Sequence, residues 1–194
     1  CLNTNKAKFT KFNDFEMIKS CFSELRDYMY HLPREQNDID FHISKLFDFA
    51  LWCIDDSEVG PNSRRFTVAI EFFKDVLQSL HPCSTDCLYI YAQENNLLQK
   101  ILNKGSKNSM MNDIILIAAA FAEKESANLI DSASVLNIYN MIISTGCFSN
   151  VKSQFQQLLT YCNIKIIDDL SDLLLKSYSD ESVEIFETIL CRTK

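Results

Sequence analysis

An all-α chain of stacked antiparallel helices is the fold class this sequence predicts, and three observations predict it. Gly and Pro are scarce, with 3 of each in 194 residues. That is far below the usual ~7% and ~5%, so turn formers are few, elements are long and connections are short. Apolar residues recur at steps of three and four along most of the chain, the period of a helix with ~3.6 residues per turn. No comparable run alternates with period two, and no Asn-Gly or Asp-Gly pair marks a hairpin.

Taken in order, residues 1–13 read as a flexible N-terminal segment and 14–194 as a single all-helical domain. The first helix is expected at 14–30, where Phe15, Ile18, Phe22, Leu25 and Met29 share a face. The second, 39–54, carries Ile39, Ile43, Leu46, Phe47, Ala50 and Ile54. The third, 63–80, has the cleanest stripe: Phe66, Ala69, Ile70, Phe73, Val76, Leu77 and Leu80. Further helices are predicted at 84–103, 110–124, 131–144, 149–162, 165–177 and 180–191. Asp14, Asp38, Ser63, Ser84, Asn112, Asp131, Ser149 and Asp180 each precede a periodic run, where a side-chain oxygen accepts first-turn N–H groups. Gly60, Gly105 and Gly146 follow such runs as stop signals, and Pro33 and Pro61 lie in gaps. Residues 114–122 and 135–143 are apolar nearly all round, which predicts burial on several sides. In 165–175, Ile166, Ile167, Leu170, Leu173 and Leu174 are expected inward, with Asp168, Asp169 and Asp172 outward.

Composition narrows the function classes. The chain is 47% hydrophobic with 14 Phe, enough for a core and too apolar for a disordered segment. Its net charge of −7 opposes a general nucleic-acid role, which needs a basic excess or stripe. Lys6, Lys8, Lys11 and the pair Arg64–Arg65 are the local basic candidates and read as a solvated face. The longest apolar run, residues 114–122, spans about half the length of a membrane helix, so no membrane insertion is expected. The eight Cys (1, 21, 53, 83, 87, 147, 162 and 191) are scattered. They read as reduced, buried small apolar residues of an intracellular protein, cytoplasmic or nuclear. No signal peptide is visible, and the chain opens on Cys1, so a piece of a longer protein is expected.

Candidate chemistry is sparse. The stretch "HPCSTDC" offers His81, Cys83 and Cys87, with Cys53 or His42 available as a fourth zinc ligand. The competing reading ends one helix at Leu80, breaks it at Pro82 and caps the next at Ser84, with Cys87, Tyr91 and Leu98 on one inward stripe. That reading is preferred, because structural zinc sites show two short-spaced ligand pairs. No phosphate loop, dinucleotide fingerprint or hydrolase elbow occurs. Asp55–Asp56 and Asp168–Asp169 read as loop and surface charges. No catalytic residue, cofactor or metal is assigned, and the chain is expected not to be an enzyme.

The spacing of Gly60, Gly105 and Gly146, 45 and 41 residues, together with the segment "ENNLLQKILNKGSKNSMMNDIILIAAAFAEKES", resembles a junction in helical repeats of the armadillo and HEAT kind, whose units run ~40–47 residues. The resemblance covers about residues 60–191. It implies two helices per repeat and a stacked array whose surface binds a peptide or partner helix. The chain is accordingly expected to be a protein–protein interaction module of a larger intracellular scaffold or regulatory protein. Asn95, Asn96, Lys100, Asn103, Lys104 and Lys107 are the candidate partner-binding strip, and Tyr28, Tyr30, Tyr89 and Tyr178 are candidate anchors. Two alternatives stay open. One is a compact bundle around 131–144, similar in plan to Bcl-2-like domains that bind amphipathic helices. The other is a hydrolase or transferase using a Cys or Asp.

Overall fold

A computed structural model describes residues 19–20, 22–24, 27, 36–55, 63–78, 82–104, 108–124, 129–176 and 180–192. Among them the regular structure is helical and no strand occurs. The helices are α1 (Gln36–Asp55), α2 (Arg64–Gln78), α3 (Pro82–Asn95), α4 (Leu97–Lys104), α5 (Asn108–Glu123), α6 (Ser132–Thr145), α7 (Phe148–Tyr161), α8 (Ile164–Lys176) and α9 (Asp180–Arg192). The all-α expectation therefore holds. The expected N-terminal segment, residues 1–13, lies outside the described residues, as does most of the helix expected at 14–30; residues 19–20, 22–24 and 27 of that stretch are helical.

The chain forms two compact units, Cys1–Lys100 and Ile101–Lys194. In the first, α1, α2 and α3 pack against one another. Its core is aromatic: the Phe47 ring lies 6.3 Å from Phe72, 6.1 Å from Phe73 and 5.3 Å from Tyr91, and Phe22 lies 5.3 Å from Phe49 and 4.9 Å from Phe72. Such separations favour tilted ring contacts that add to simple burial. The stripe on α2 is wider than the periodicity indicates, because Val68 and Phe72 are buried beside Phe66, Ala69, Ile70, Phe73 and Val76. Arg65 is also buried, so Arg64–Arg65 is not a solvated basic face. Its guanidinium lies over the Trp52 ring, 5.4 Å from the centroid, where the ring face attracts the cation.

The second unit packs by alternation. α5 pairs with α7 and α7 with α9; α6 pairs with α8; α5–α6 and α8–α9 join the two sets. Ala118 and Ala119 are buried on α5, where small side chains permit close approach of a neighbouring helix, and Ile114, Ile115, Ile117 and Phe121 fill the space around them. The burial on several sides expected for 114–122 is present, with only Leu116 and Ala120 half-buried. For 135–143 it is partial: Val135, Ile138, Tyr139 and Ile142 are buried, whereas Ile143 reaches solvent. The Tyr139 hydroxyl meets Ser182 Oγ at 3.1 Å, a buried polar pair tying α6 to α9.

Capping explains several boundaries and corrects others. Asp131 caps α6, accepting from Ser134 N at 2.8 Å, and Gly146 ends it at φ 63°, a left-handed residue that glycine adopts without a steric penalty. Cys147 N then donates back to Ile142 O at 3.3 Å, and the chain turns directly into α7. Ser149 therefore falls inside α7 rather than capping it. Asp38, Ser84 and Asn112 likewise fall inside helices, and Asp180 is the first residue of its helix. Ser63 does cap α2, its Oγ accepting from Arg65 N at 3.2 Å. Asn163, which the periodicity does not mark, caps α8 by accepting from Ile166 N at 3.0 Å.

The helix expected over 84–103 is two helices. Asn96, at φ 51°, takes the left-handed conformation and separates α3 from α4. Asn tolerates this conformation better than other residues with a side chain. Three helices thus occupy the interval from Gly60 to Gly105, where two were expected; both glycines lie outside the described residues.

Candidate partner-binding surface

Asn95, at the end of α3, Asn96, and Lys100, in the first turns of α4, lie in the same unit as α1. Lys100 Nζ reaches Asp55 Oδ2 at 2.8 Å, with both side chains part-exposed. Asn95 Nδ2 donates to Tyr91 O at 3.0 Å, folding its amide onto its own helix. Tyr91 in turn donates its hydroxyl to Asp48 Oδ1 at 3.0 Å, and Asp48 pairs with Lys45 at 3.7 Å. Burial of the ring, the hydrogen bond to Asp48 and the charges of Asp48 and Asp55 all push the Tyr91 phenol well above its ordinary pKa. The hydroxyl is therefore a fixed donor joining α3 to α1, not a proton-transfer group near neutrality.

Within the strip, Asn96 and Asn103 are exposed, Lys100 and Lys104 are half-buried, and Lys107 lies outside the described residues. Lys100 thus serves first as an internal tie to Asp55. The strip falls on both sides of the division between the units, which comes after Lys100. Of the candidate aromatic anchors, Tyr89 is half-buried and Tyr28, Tyr30 and Tyr178 lie outside the described residues.

The stretch around Pro82 is a helix start. Pro82 is the first residue of α3, where its missing N–H costs no hydrogen bond. Thr85 Oγ1 donates to Val76 O at 3.3 Å and ties this start to α2. His81 and the side chains of His42 and Cys83 lie outside what the structure describes. Cys53, Cys147 and Cys162 are buried thiols and Cys87 is half-buried. The inward residues of α3 are Leu88, Tyr91 and Ala92, and the buried Leu98 belongs to the next helix, beyond Asn96. Among the described residues no group of three or more His, Cys, Asp or Glu converges on one point.

In the second unit, α8 presents a face that the periodicity does not single out. Ile166, Ile167, Leu170 and Leu174 are buried and Leu173 is half-buried, while Asp168 and Asp172 are exposed and Asp169 is half-buried. At the two ends of the outward face, Ile164 is 76% exposed and Leu175 71%. Large side chains this bare are unusual here, because the core residues of the same helix are at most 6% exposed. A pattern of eleven-residue spacing, three helical turns, would have flagged the pair. Elsewhere in the unit, a cavity of about 260 Å3 is lined by Phe121, Ala122, Leu129, Ile130 and Ile166, with polar groups from Lys124, Tyr161 and Asn163. Its size falls below the usual range for small-molecule pockets, roughly 300–1,000 Å3.

No helix among the described residues is long and apolar enough to cross a membrane. No protein-family model matches the chain, and no significant similarity to a curated protein or to a solved structure is found.

Proposed function

We propose that this chain is a protein-interaction module of a larger intracellular scaffold or regulatory protein, holding a peptide or partner helix against its helical surface. The alternating packing of the second unit carries this reading: α5 on α7 on α9, and α6 on α8. Helices that pair with the next but one, as well as with their neighbours, build two layers. The outer side of each layer is a surface shared by several helices, the form of surface that armadillo- and HEAT-like arrays offer to extended partners. The net charge of −7 favours a protein partner over nucleic acid. The buried thiols Cys53, Cys147 and Cys162 suit a reducing compartment.

Selection of a displayed random-peptide library on the folded chain tests the proposal. It predicts enriched peptides that bind the native chain and do not bind an Ile138→Asp variant, in which a core position of α6 carries a carboxylate. Failure to enrich any sequence over the denatured control would count against an interaction module. Turnover of a hydrolase or transferase substrate that a single Cys→Ser or Asp→Asn change abolishes, with folding and peptide capture intact, would replace the proposal with the catalytic alternative.

A further inference from the structure

Among the helices described, α6 alone carries no charged residue. The gap runs past its end: residues 132–151 hold no Asp, Glu, Lys or Arg, although 23% of the chain is charged. Burial does not account for this, because one side of α6 faces water. Ala133, Asn140, Ile143 and Ser144 are exposed and Leu136, Asn137 and Met141 are half-buried, while Val135, Ile138, Tyr139 and Ile142 are buried on the other side. Along the outward side, Ala133, Leu136, Asn140 and Ile143 follow one another at steps of three, four and three, the spacing of two successive a and d pairs in a heptad seam. Asn137 and Ser144, which flank that seam, are uncharged as well. Among the described residues, the Asn137 and Asn140 side-chain amides take part in no hydrogen bond within the chain. The side chains of Asn95 and Asn163, in contrast, bond to nearby backbone.

We infer that the outward side of α6 is a self-association face: a second copy of the chain lays its own α6 alongside, parallel, across a two-fold axis. This goes beyond the peptide-binding role and does not depend on it. Charge selects the occupant. A chain of net charge −7 repels its own copy wherever carboxylates meet, and every other described helix bears charged residues. On α6 two copies approach without that penalty, and depletion of charge is the mark of an interface centre. A foreign partner steered by charge finds nothing to hold on this face. The side chains select the register. In a parallel pair each seam residue meets its own counterpart: Leu136 on Leu136, Ile143 on Ile143 and Asn140 on Asn140. A primary amide both donates and accepts, so two of them satisfy each other, and one Asn at an a position fixes register at some cost in affinity. In the antiparallel arrangement a faces d, so Asn140 would meet Leu136 and both amides would lack a partner. The seam is only about 15 Å long, so the contact is small and the dimer weak, with a dissociation constant on the order of 100 µM.

Sedimentation velocity of the whole chain from about 5 µM to about 1 mM, a range that brackets so weak a contact, is the test. Asn140→Lys sets an ammonium against its own counterpart in the seam. Gln157→Lys, on the outward side of α7, makes the same change of net charge on another helix. Asn140→Leu replaces the amide pair with apolar groups. Both positions are exposed, so each variant should melt like the parent chain in circular dichroism. The parent is expected to dimerise as concentration rises. Asn140→Lys should weaken the dimer roughly tenfold or more, although it makes the net charge less negative, and Gln157→Lys should not weaken it. Asn140→Leu should tighten it roughly tenfold. Added salt should strengthen association, since it screens the repulsion between copies and the face has no ion pair to lose. A chain that stays monomeric to about 1 mM would overturn the inference. Equal effects of the two lysine variants would overturn it too, since net charge alone would then govern association. A dimer that Asn140→Lys leaves untouched lies on another face and overturns it. A monomeric chain whose library-selected peptides lose affinity for the Asn140→Lys variant would overturn it in favour of a foreign helix, with the wider reading intact.

Discussion

The two units solve the same packing problem with different materials. Of the 14 Phe, ten lie in residues 1–100, and the only Trp lies there too. That unit fills a triangle of helices with Phe47, Phe49, Phe66, Phe72 and Phe73, large flat groups whose contacting rings are tilted against one another. The second unit uses Ile, Leu, Val and Ala instead, with four Phe in 94 residues. Small residues on α5 suit close helix packing, and five helices pair in alternation. The difference extends to what each leaves in water. Unit one exposes a single large aliphatic residue among those described, Ile90, at 60%. Unit two exposes four among those described, Ile143, Ile164, Leu175 and Val183. Aromatic packing closes a small core on few helices, whereas a layered aliphatic core ends in helices that have an outer side to offer.

The largest effect should come from the layered core. Ile138 is fully buried on α6. Ile138→Asp places a carboxylate among apolar neighbours and should cost more than about 4 kcal/mol, by chemical denaturation, or leave the unit unfolded. A variant that denatures with the parent chain would show that α6 is not core. Truncation in the aromatic unit should follow closely: Phe47→Ala removes a ring in contact with Phe72, Phe73 and Tyr91 and should cost about 3–5 kcal/mol. A loss below about 1 kcal/mol would mean that the triangle collapses to fill the space, and the contrast with the aliphatic unit would fail.

A smaller effect belongs to the tie between α1 and α3. The Tyr91 phenol is held protonated in the folded chain, chiefly by burial and then by Asp48. Its unfolded counterpart ionises near pH 10. The stabilisation is therefore complete below pH 10 and is lost as pH rises above it, by up to about 1.4 kcal/mol for each pH unit. Denaturation of the parent chain between pH 9 and 11 should show this decline, and Tyr91→Phe should flatten it. An equal decline in both would place the alkaline lability elsewhere.

Much of this architecture is legible in the sequence because a buried helical stripe repeats every three or four residues. On α1, α2 and α8 the period correctly places Leu46, Phe47, Ala50 and Ile54, then Phe66, Ala69, Ile70, Phe73 and Val76, then Ile166, Ile167, Leu170 and Leu174 in the core, whereas Leu77 and Leu173 are half-buried. What the period does not reveal is anything set by backbone conformation or by distant partners. The break at Asn96 is hidden because apolar spacing continues through Leu97, Leu98, Ile101 and Leu102, and an Asn turn has no glycine to announce it. Arg65 reads as solvated because its partner, Trp52, lies on another helix. The Tyr91–Asp48 bond spans 43 positions. Of the candidate binding strip, the sequence gives the residues, but the pairing of Lys100 with Asp55 comes only from the approach of α4 to α1. Ile164 and Leu175 fall outside the inward set that the period picks out on α8, and the period assigns an apolar residue off the stripe no place.

The smallest predicted effects sharpen the boundaries. Asp131 and Ser149 carry the same helix-start signal, yet only Asp131 makes the capping bond. Asp131→Ala should cost about 1 kcal/mol. Ser149→Ala should change stability by less than about 0.5 kcal/mol. Equal losses, read by thermal melting, would undo the assignment of Cys147 to the cap position of α7.

The most direct measurement of the functional account follows methyl resonances of the isoleucines and leucines while a peptide selected from the displayed library is added. It sets the lone Ile90 of the aromatic unit against Ile143, Ile164 and Leu175, the exposed isoleucines and leucine of the layered unit. The account predicts that methyls of the layered unit shift saturably, with Ile90 unmoved. Shifts at Ile90 with the layered unit unchanged would contradict it.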